Sequence, residues 1–141
     1  MIRVFIDGGA GTTGLKIVER MQARADVELI TLDEAHRKDP ASRKEAIHAA
    51  DAVFLCLPDD AAKEAAVLAE GSKAVVIDAS TAHRTAEGWA YGFPELSPAH
   101  RAAIASSKRI ANPGCYASGF ISLVYPLIAH GIAAKDYPFV C

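Results

Sequence analysis

Val4-Phe5-Ile6-Asp7-Gly8-Gly9-Ala10-Gly11-Thr12-Thr13-Gly14-Leu15 decides the fold. An apolar run ends in a glycine-rich turn, and a helical pattern starts directly after it. Glycine meets three needs here. The turn requires unusual backbone angles, the backbone must come close to a pyrophosphate, and the helix must pack tightly on the strand. Free N–H groups at the helix start then face the anion. The spacing is G-x-x-G-x-x-G, not the commoner G-x-G-x-x-G. In this strand-to-helix context a dinucleotide cradle outweighs a sharp glycine turn with no ligand. Gly8, Gly11, Thr12, Thr13 and Gly14 are the candidate cofactor contacts.

The rest of the chain repeats that alternation. Apolar runs predict strands near 2–6, 27–32, 52–57, 74–78 and 108–111. Helical patterns fall near 13–24, 40–49, 60–70, 98–106 and 116–130. Strands that read as unbroken apolar runs, with helices between them, predict a parallel sheet covered on both faces. The expected class is α/β, a Rossmann-type doubly wound sheet over residues 1–134. A chain of 141 residues, 51% hydrophobic, can bury a real core.

Charge and cysteine usage narrow the function. A net charge of −2 gives no electrostatic reason to bind nucleic acid or an anionic membrane. The chain enters a strand at Ile2, so no leader peptide is expected. No apolar run approaches the roughly 20 residues of a membrane helix. Cys56, Cys115 and Cys141 are far apart, which speaks against a disulfide framework or a metal site and suits a reducing cytoplasm. Cys56 lies inside the apolar run 52–57 and reads as a small buried hydrophobe.

NAD or NADP turns on the end of the second strand. Asp33 stands 19 residues after Gly14, the place of a ribose-binding acid, and alone it favours NAD. Arg37 and Lys38 follow and can hold a 2′-phosphate, with Thr31 adding a hydroxyl.

The second chemical segment is Asn112-Pro113-Gly114-Cys115-Tyr116. A short strand leads into this turn, and Cys115 opens the apolar helical pattern behind it. A cysteine at a helix start has its thiolate favoured by the helix dipole and free N–H groups, which makes it a nucleophile. Pro126 is expected to kink that helix or end its regular part. The connection 79–97 is long enough to be functional. From it Arg84 can clamp a phosphate or carboxylate and Ser80 can donate to one. His83 is a possible acid–base group, although a lone loop histidine is more often solvated.

Five segments, in order, resemble the short bacterial form of the N-acetyl-γ-glutamyl-phosphate reductases. They are 8–14, Leu57-Pro58-Asp59-Asp60, Asp78-Ala79-Ser80-Thr81-Ala82-His83-Arg84, 89–95 (Trp-Ala-Tyr-Gly-Phe-Pro-Glu) and 112–117. The resemblance implies NADPH as cofactor, with Pro58 among its contacts, and an acyl phosphate as substrate. It implies Cys115 as the nucleophile that forms a thioester. It makes Ser80, Arg84 and Asn112 candidates to hold substrate or leaving phosphate. It also implies a second α+β domain for substrate and dimerisation, a homo-oligomer, and an acid–base histidine in that domain. No residue here matches that histidine's motif. Residues 135–141 read as the first strand of that domain, and the 141-residue chain alone is expected to lack meaningful turnover. Two alternatives stand beside this reading. An aspartate-semialdehyde dehydrogenase would use the same loop and thiol on a shorter acyl phosphate, and a non-catalytic NADP-binding module would need no thiol at a helix start.

Overall fold

The computed structural model describes residues 1–140; Cys141 lies outside the described residues. The elements run β1 (Ile2–Asp7), α1 (Thr12–Gln22), β2 (Val27–Ile30), α2 (Pro40–Ala49), β3 (Ala52–Leu55), α3 (Asp59–Leu68) and β4 (Val75–Asp78). They continue with β5 (Ala90–Tyr91), α4 (Pro98–Ser106), β6 (Arg109–Ala111) and α5 (Cys115–Ala129). All six strands form one parallel sheet in the order β2-β1-β3-β4-β6-β5. The predicted doubly wound fold is therefore correct. The order of strand addition reverses at β1, with β2 on one side and β3 on the other. Such a sheet opens its ligand crevice at the carboxyl ends of those strands.

The strand register explains where the core sits. Phe5, Val53 and Val76 are register partners, and Asp7, Leu55 and Asp78 form the next row on the same face. Val53, Leu55 and Val76 are fully buried there with Ile47 of α2 and Ala62, Ala65 and Ala69 of the α3 segment. Each of the buried valine, leucine and isoleucine side chains contributes about 1.5–3 kcal/mol. Alanines let α3 lie close to the sheet. The same face carries a buried ion pair. Arg43 of α2 donates from Nε to Asp7 Oδ2 at 3.0 Å and from Nη1 to Glu64 at 3.1 Å. Burial pushes the Asp7 carboxyl up from its ordinary value, against the lowering effect of Arg43. The pair fixes the end of β1, where the glycine turn begins.

Three expectations need correction. Pro126 does not end α5, which continues to Ala129 with the proline inside it. The position is exposed. Residues 135–140 carry no strand, although the strand expected from Lys135 is that of a further domain and not of this sheet. Conversely, Ala90–Tyr91, read as part of a long connection, pairs with Ile110–Ala111 as a two-residue edge strand. Two residues are too few for a periodic signal.

Gly8 has φ +83°, and a Cβ on it would lie 2.2 Å from the Cys56 carbonyl oxygen. A Cβ on Gly14 would lie 2.3 Å from the Gly8 carbonyl oxygen and 2.7 Å from Gly9 Cα. Both neighbours are backbone and cannot swing aside. Gly14→Ala is expected to cost about 2–4 kcal/mol in urea unfolding. Gly119→Ala, in α5 with nothing within 4 Å of its Cβ position, is expected to gain about 0.5–1 kcal/mol. An unchanged midpoint for Gly14→Ala would contradict this packing.

Candidate nucleotide cleft and thiol site

Three helices begin directly at the carboxyl edge of the sheet. Their N-caps are Gly11, Pro58 and Gly114, and none makes a side-chain cap bond. The two helices that start elsewhere are capped: Asp39 accepts from Ser42 N–H and Ser97 from His100 N–H. The first-turn N–H groups of α1, α3 and α5 thus remain available at the edge where an anion would bind.

A cleft of about 650 Å³ lies at the β1–β3 switch point. Its walls include Gly8, Gly9 and Gly11, then Thr31, Glu34, Arg37 and Lys38 from the segment after β2, and Cys56 to Pro58 after β3. It therefore joins six of the predicted residues, Gly8, Gly11, Thr31, Arg37, Lys38 and Pro58, from three segments far apart in sequence. The glycine backbone fits a pyrophosphate, because a Cβ at Gly8 would collide with the opposite wall. Arg37 donates to Glu34 at 3.0 Å. Asp33 lies outside this cleft. Its Oδ1 accepts from His36 N–H at 2.9 Å and contacts His36 Nδ1 at 2.7 Å. These bonds hold its carboxyl below the usual range. The geometry thus favours Arg37 and Lys38 over Asp33 as ribose-end contacts.

Gly14 is buried behind the loop and acts through packing rather than contact. Thr12 and Thr13 line a smaller depression with Gly11, Cys56, Leu57 and Ala79. That depression leads from the glycine loop toward β4. Cys56 is not the core residue expected from its apolar run. It sits one residue past β3, half-buried, with its N–H on the Asp7 carbonyl at 2.8 Å. Burial, with Asp7 and Asp78 nearby, pushes its thiol up to about 11. It stays protonated at neutral pH.

The turn after β4 is tied down on several sides. Asp78 is fully buried; its Oδ1 accepts from Ser80 N–H at 2.9 Å, and its Oδ2 accepts from Ser80 Oγ at 2.7 Å. His83 Nδ1 lies 2.6 Å from the same Oδ2, and the ring stacks on Trp89 with centroids 4.0 Å apart. Thr81 donates from its N–H to Asp59 at the start of α3, and its hydroxyl bonds the same carboxylate. Arg84 reaches the other way. Its Nε donates to the Asn112 carbonyl at 3.2 Å and its Nη2 to the Ala79 carbonyl at 3.3 Å. Its Nη1 lies 2.6 Å from where a Cβ on Gly114 would be.

Arg84, Asn112 and Cys115 are therefore brought together around the 112–115 turn. Cys115 is exposed and is the first residue of α5. Asn112 is exposed, with Nδ2 on the Pro113 carbonyl at 3.2 Å. Ser80 differs from the expectation. It is buried, and its hydroxyl hydrogen is already given to Asp78. The roles of Asp78, Asp59 and Trp89 were missed from sequence. The available signal was an aspartate ending a strand on the edge that carries the glycine loop, followed by Ser at the second and His at the fifth position. No group of three metal-binding side chains occurs among the described residues.

Comparison with known proteins agrees with this geometry. The family model described as semialdehyde dehydrogenase, NAD binding domain, matches residues 33–104. N-acetyl-gamma-glutamyl-phosphate reductase 2 of Pseudomonas putida is 55% identical over 96% of this chain, which covers 43% of that protein. The N-acetyl-gamma-glutamyl-phosphate reductase of Trichormus variabilis is 50% identical over 96% of this chain and 42% of its own length. The chain thus spans less than half the length of these relatives. Among solved structures, aspartate semialdehyde dehydrogenase from Francisella tularensis superposes with a TM-score of 0.68 at 17% identity, covering 93% of this chain and 42% of that one. The enzyme from Candida albicans, solved with NADP, gives 0.66 at 15% identity over 92% and 47%. These structures share the fold. With its glycine cradle, six parallel strands and matched segment, the chain belongs to the semialdehyde dehydrogenase NAD-binding domain family.

Proposed function

We propose that this chain is the NADP-binding portion of an N-acetyl-γ-glutamyl-phosphate reductase, which forms N-acetylglutamate semialdehyde and phosphate in arginine biosynthesis. One observation carries the reading: the 79–84 turn links a nucleotide cleft to an exposed thiol at the start of α5. The two relatives named as that reductase, 55% and 50% identical, support the choice of acyl phosphate.

In this reading Cys115 Sγ attacks the acyl carbon. The S–C bond forms, the C–O bond to phosphate breaks, and phosphate leaves with the electron pair. The free N–H groups of α5 and the Arg84 guanidinium against Gly114 supply positive potential at the start of the helix that Cys115 opens. Arg84 and Asn112 are the substrate contacts; Ser80 serves through Asp78, because its hydrogen is engaged there. NADPH, when bound, supplies the hydride that reduces the thioester to the aldehyde. Gly8, Gly11, Thr12, Thr13 and Pro58 hold its pyrophosphate end, Gly14 shapes the loop behind them, and Thr31, Arg37 and Lys38 take the 2′-phosphate. For Arg37 this exchanges Glu34 for a more highly charged partner.

The chain spans 42–43% of these relatives' length, and in this proposal the activity belongs to a chain of their full length. Residues 1–134 form its cofactor domain, and 135–141 lead toward a second domain with the acid–base histidine. The α5 surface supports this. Tyr116 is 93% exposed and Leu123 75% exposed, and this apolar helix has no buried residue. Further chain in a cytoplasmic homo-oligomer would cover it.

Two measurements test the reading. Calorimetric titration is expected to show tighter binding of NADPH than NADH, with Arg37→Ala weakening NADPH about tenfold and NADH little. Tighter NADH binding that ignores Arg37→Ala would overturn the NADP assignment. The reverse reaction, with N-acetylglutamate semialdehyde, phosphate and NADP, is expected to turn over in the longer protein. Aspartate semialdehyde should be a poor replacement. Cys115→Ser should abolish turnover, and the 141-residue chain alone should lose at least about 10²-fold with the acid–base group. Equal rates on the two aldehydes would contradict the substrate, and equal rates for the two chain lengths would place the acid–base group within these 141 residues.

A further inference from the structure

We propose that His83 is a positioning residue for the Cys115 turn, held by Asp78 through its Nδ1 hydrogen and by Trp89 through its ring plane. The inference rests on Cys115 being the reactive thiol of the function proposed above. It begins at the Asp78 carboxylate, which has no solvent exposure. Ser80 gives it two hydrogen bonds, and His83 Nδ1 lies 2.6 Å from its Oδ2. In the proposal Asp78 accepts this contact as it accepts those from Ser80, which puts the imidazole hydrogen on Nδ1. The side chain of His83 is 11% exposed, and its ring lies 12° from parallel to the Trp89 ring. One contact fixes the tautomer and the other fixes the plane. A solvated loop histidine would have neither.

The next residue transmits that constraint. Arg84 holds the Asn112 carbonyl, and its guanidinium fills the space beside Gly114, the residue before Cys115. Withdrawing the His83–Asp78 bond frees the backbone that aims Arg84. The positive charge then leaves the thiol, and the turn loses a bond. His83 thus acts on Cys115 through Arg84.

The test measures iodoacetamide labelling of Cys115 at fixed pH, read on its own peptide by mass spectrometry. His83→Phe keeps an aromatic ring against Trp89 and removes the donor. His83→Asn restores a donor near the Nδ1 position. Arg84→Gln removes the charge. We expect His83→Phe and Arg84→Gln each to slow labelling about fivefold, the scale of one solvent-screened charge. The double variant should be no slower than either, because the two act in series. His83→Asn should recover most of the rate. In the unsubstituted chain, ¹⁵N NMR should place the imidazole hydrogen on Nδ1. Wild-type labelling in His83→Phe, equal losses in His83→Phe and His83→Asn, additive losses in the double variant, or a hydrogen on Nε2 alone would each overturn the proposal. The NMR arm decides even if a variant fails to fold. No acyl phosphate enters this assay. An unreactive Cys115 in the unsubstituted chain would therefore count against the reductase reading, while the tautomer still judges the His83 contact.

Discussion

The approach of Gly8 to the Cys56 carbonyl is the constraint on which the rest depends. A left-handed φ and a wall 2.2 Å from the missing Cβ leave glycine as the residue for that position. The close approach brings the ends of β1 and β3 together, with the Cys56 N–H on the Asp7 carbonyl. It also turns the chain so that α1 starts at the sheet edge with its N–H groups free. The cleft exists because the backbone here carries no side chains. Beneath it, the Asp7–Arg43 pair anchors the strand end at the cost of burying two charges.

A second set of bonds connects this cleft with the thiol. Asp59 at the start of α3, Asp78 at the end of β4 and the Asn112 carbonyl after β6 all hold the same turn. Three adjacent strands therefore share one polar connector along their carboxyl edge. The two cysteines at that edge differ for physical reasons. Cys56 is half-buried near two carboxylates, and its thiol is pushed up to about 11. Cys115 is exposed at an uncapped helix start, against which an arginine lies.

The fold was legible in the sequence because its signals are local. Strands of a parallel sheet alternating with helices read as apolar runs, and the glycine spacing marks one strand-to-helix turn. Arg37, Lys38 and Thr31 were legible as a group because they follow one strand end within eight residues. The Asp78 cluster was not. Its members carry out ordinary loop chemistry in sequence, and only burial and the stack on Trp89 distinguish His83 from a solvated histidine. Ser80 was read as a free donor because sequence does not reveal that a hydrogen is already committed. Cys56 was placed in the core because its neighbours are apolar, yet β3 ends one residue earlier.

The central claim is that Cys115 accepts the acyl group. Intact-protein and peptide mass spectrometry after mixing with N-acetyl-γ-glutamyl phosphate, without nucleotide, tests it most directly. The account predicts one hydroxylamine-sensitive N-acetylglutamyl adduct, on Cys115, with one equivalent of phosphate released. An adduct on Cys56, or phosphate released with no acyl group retained on Cys115, would contradict it.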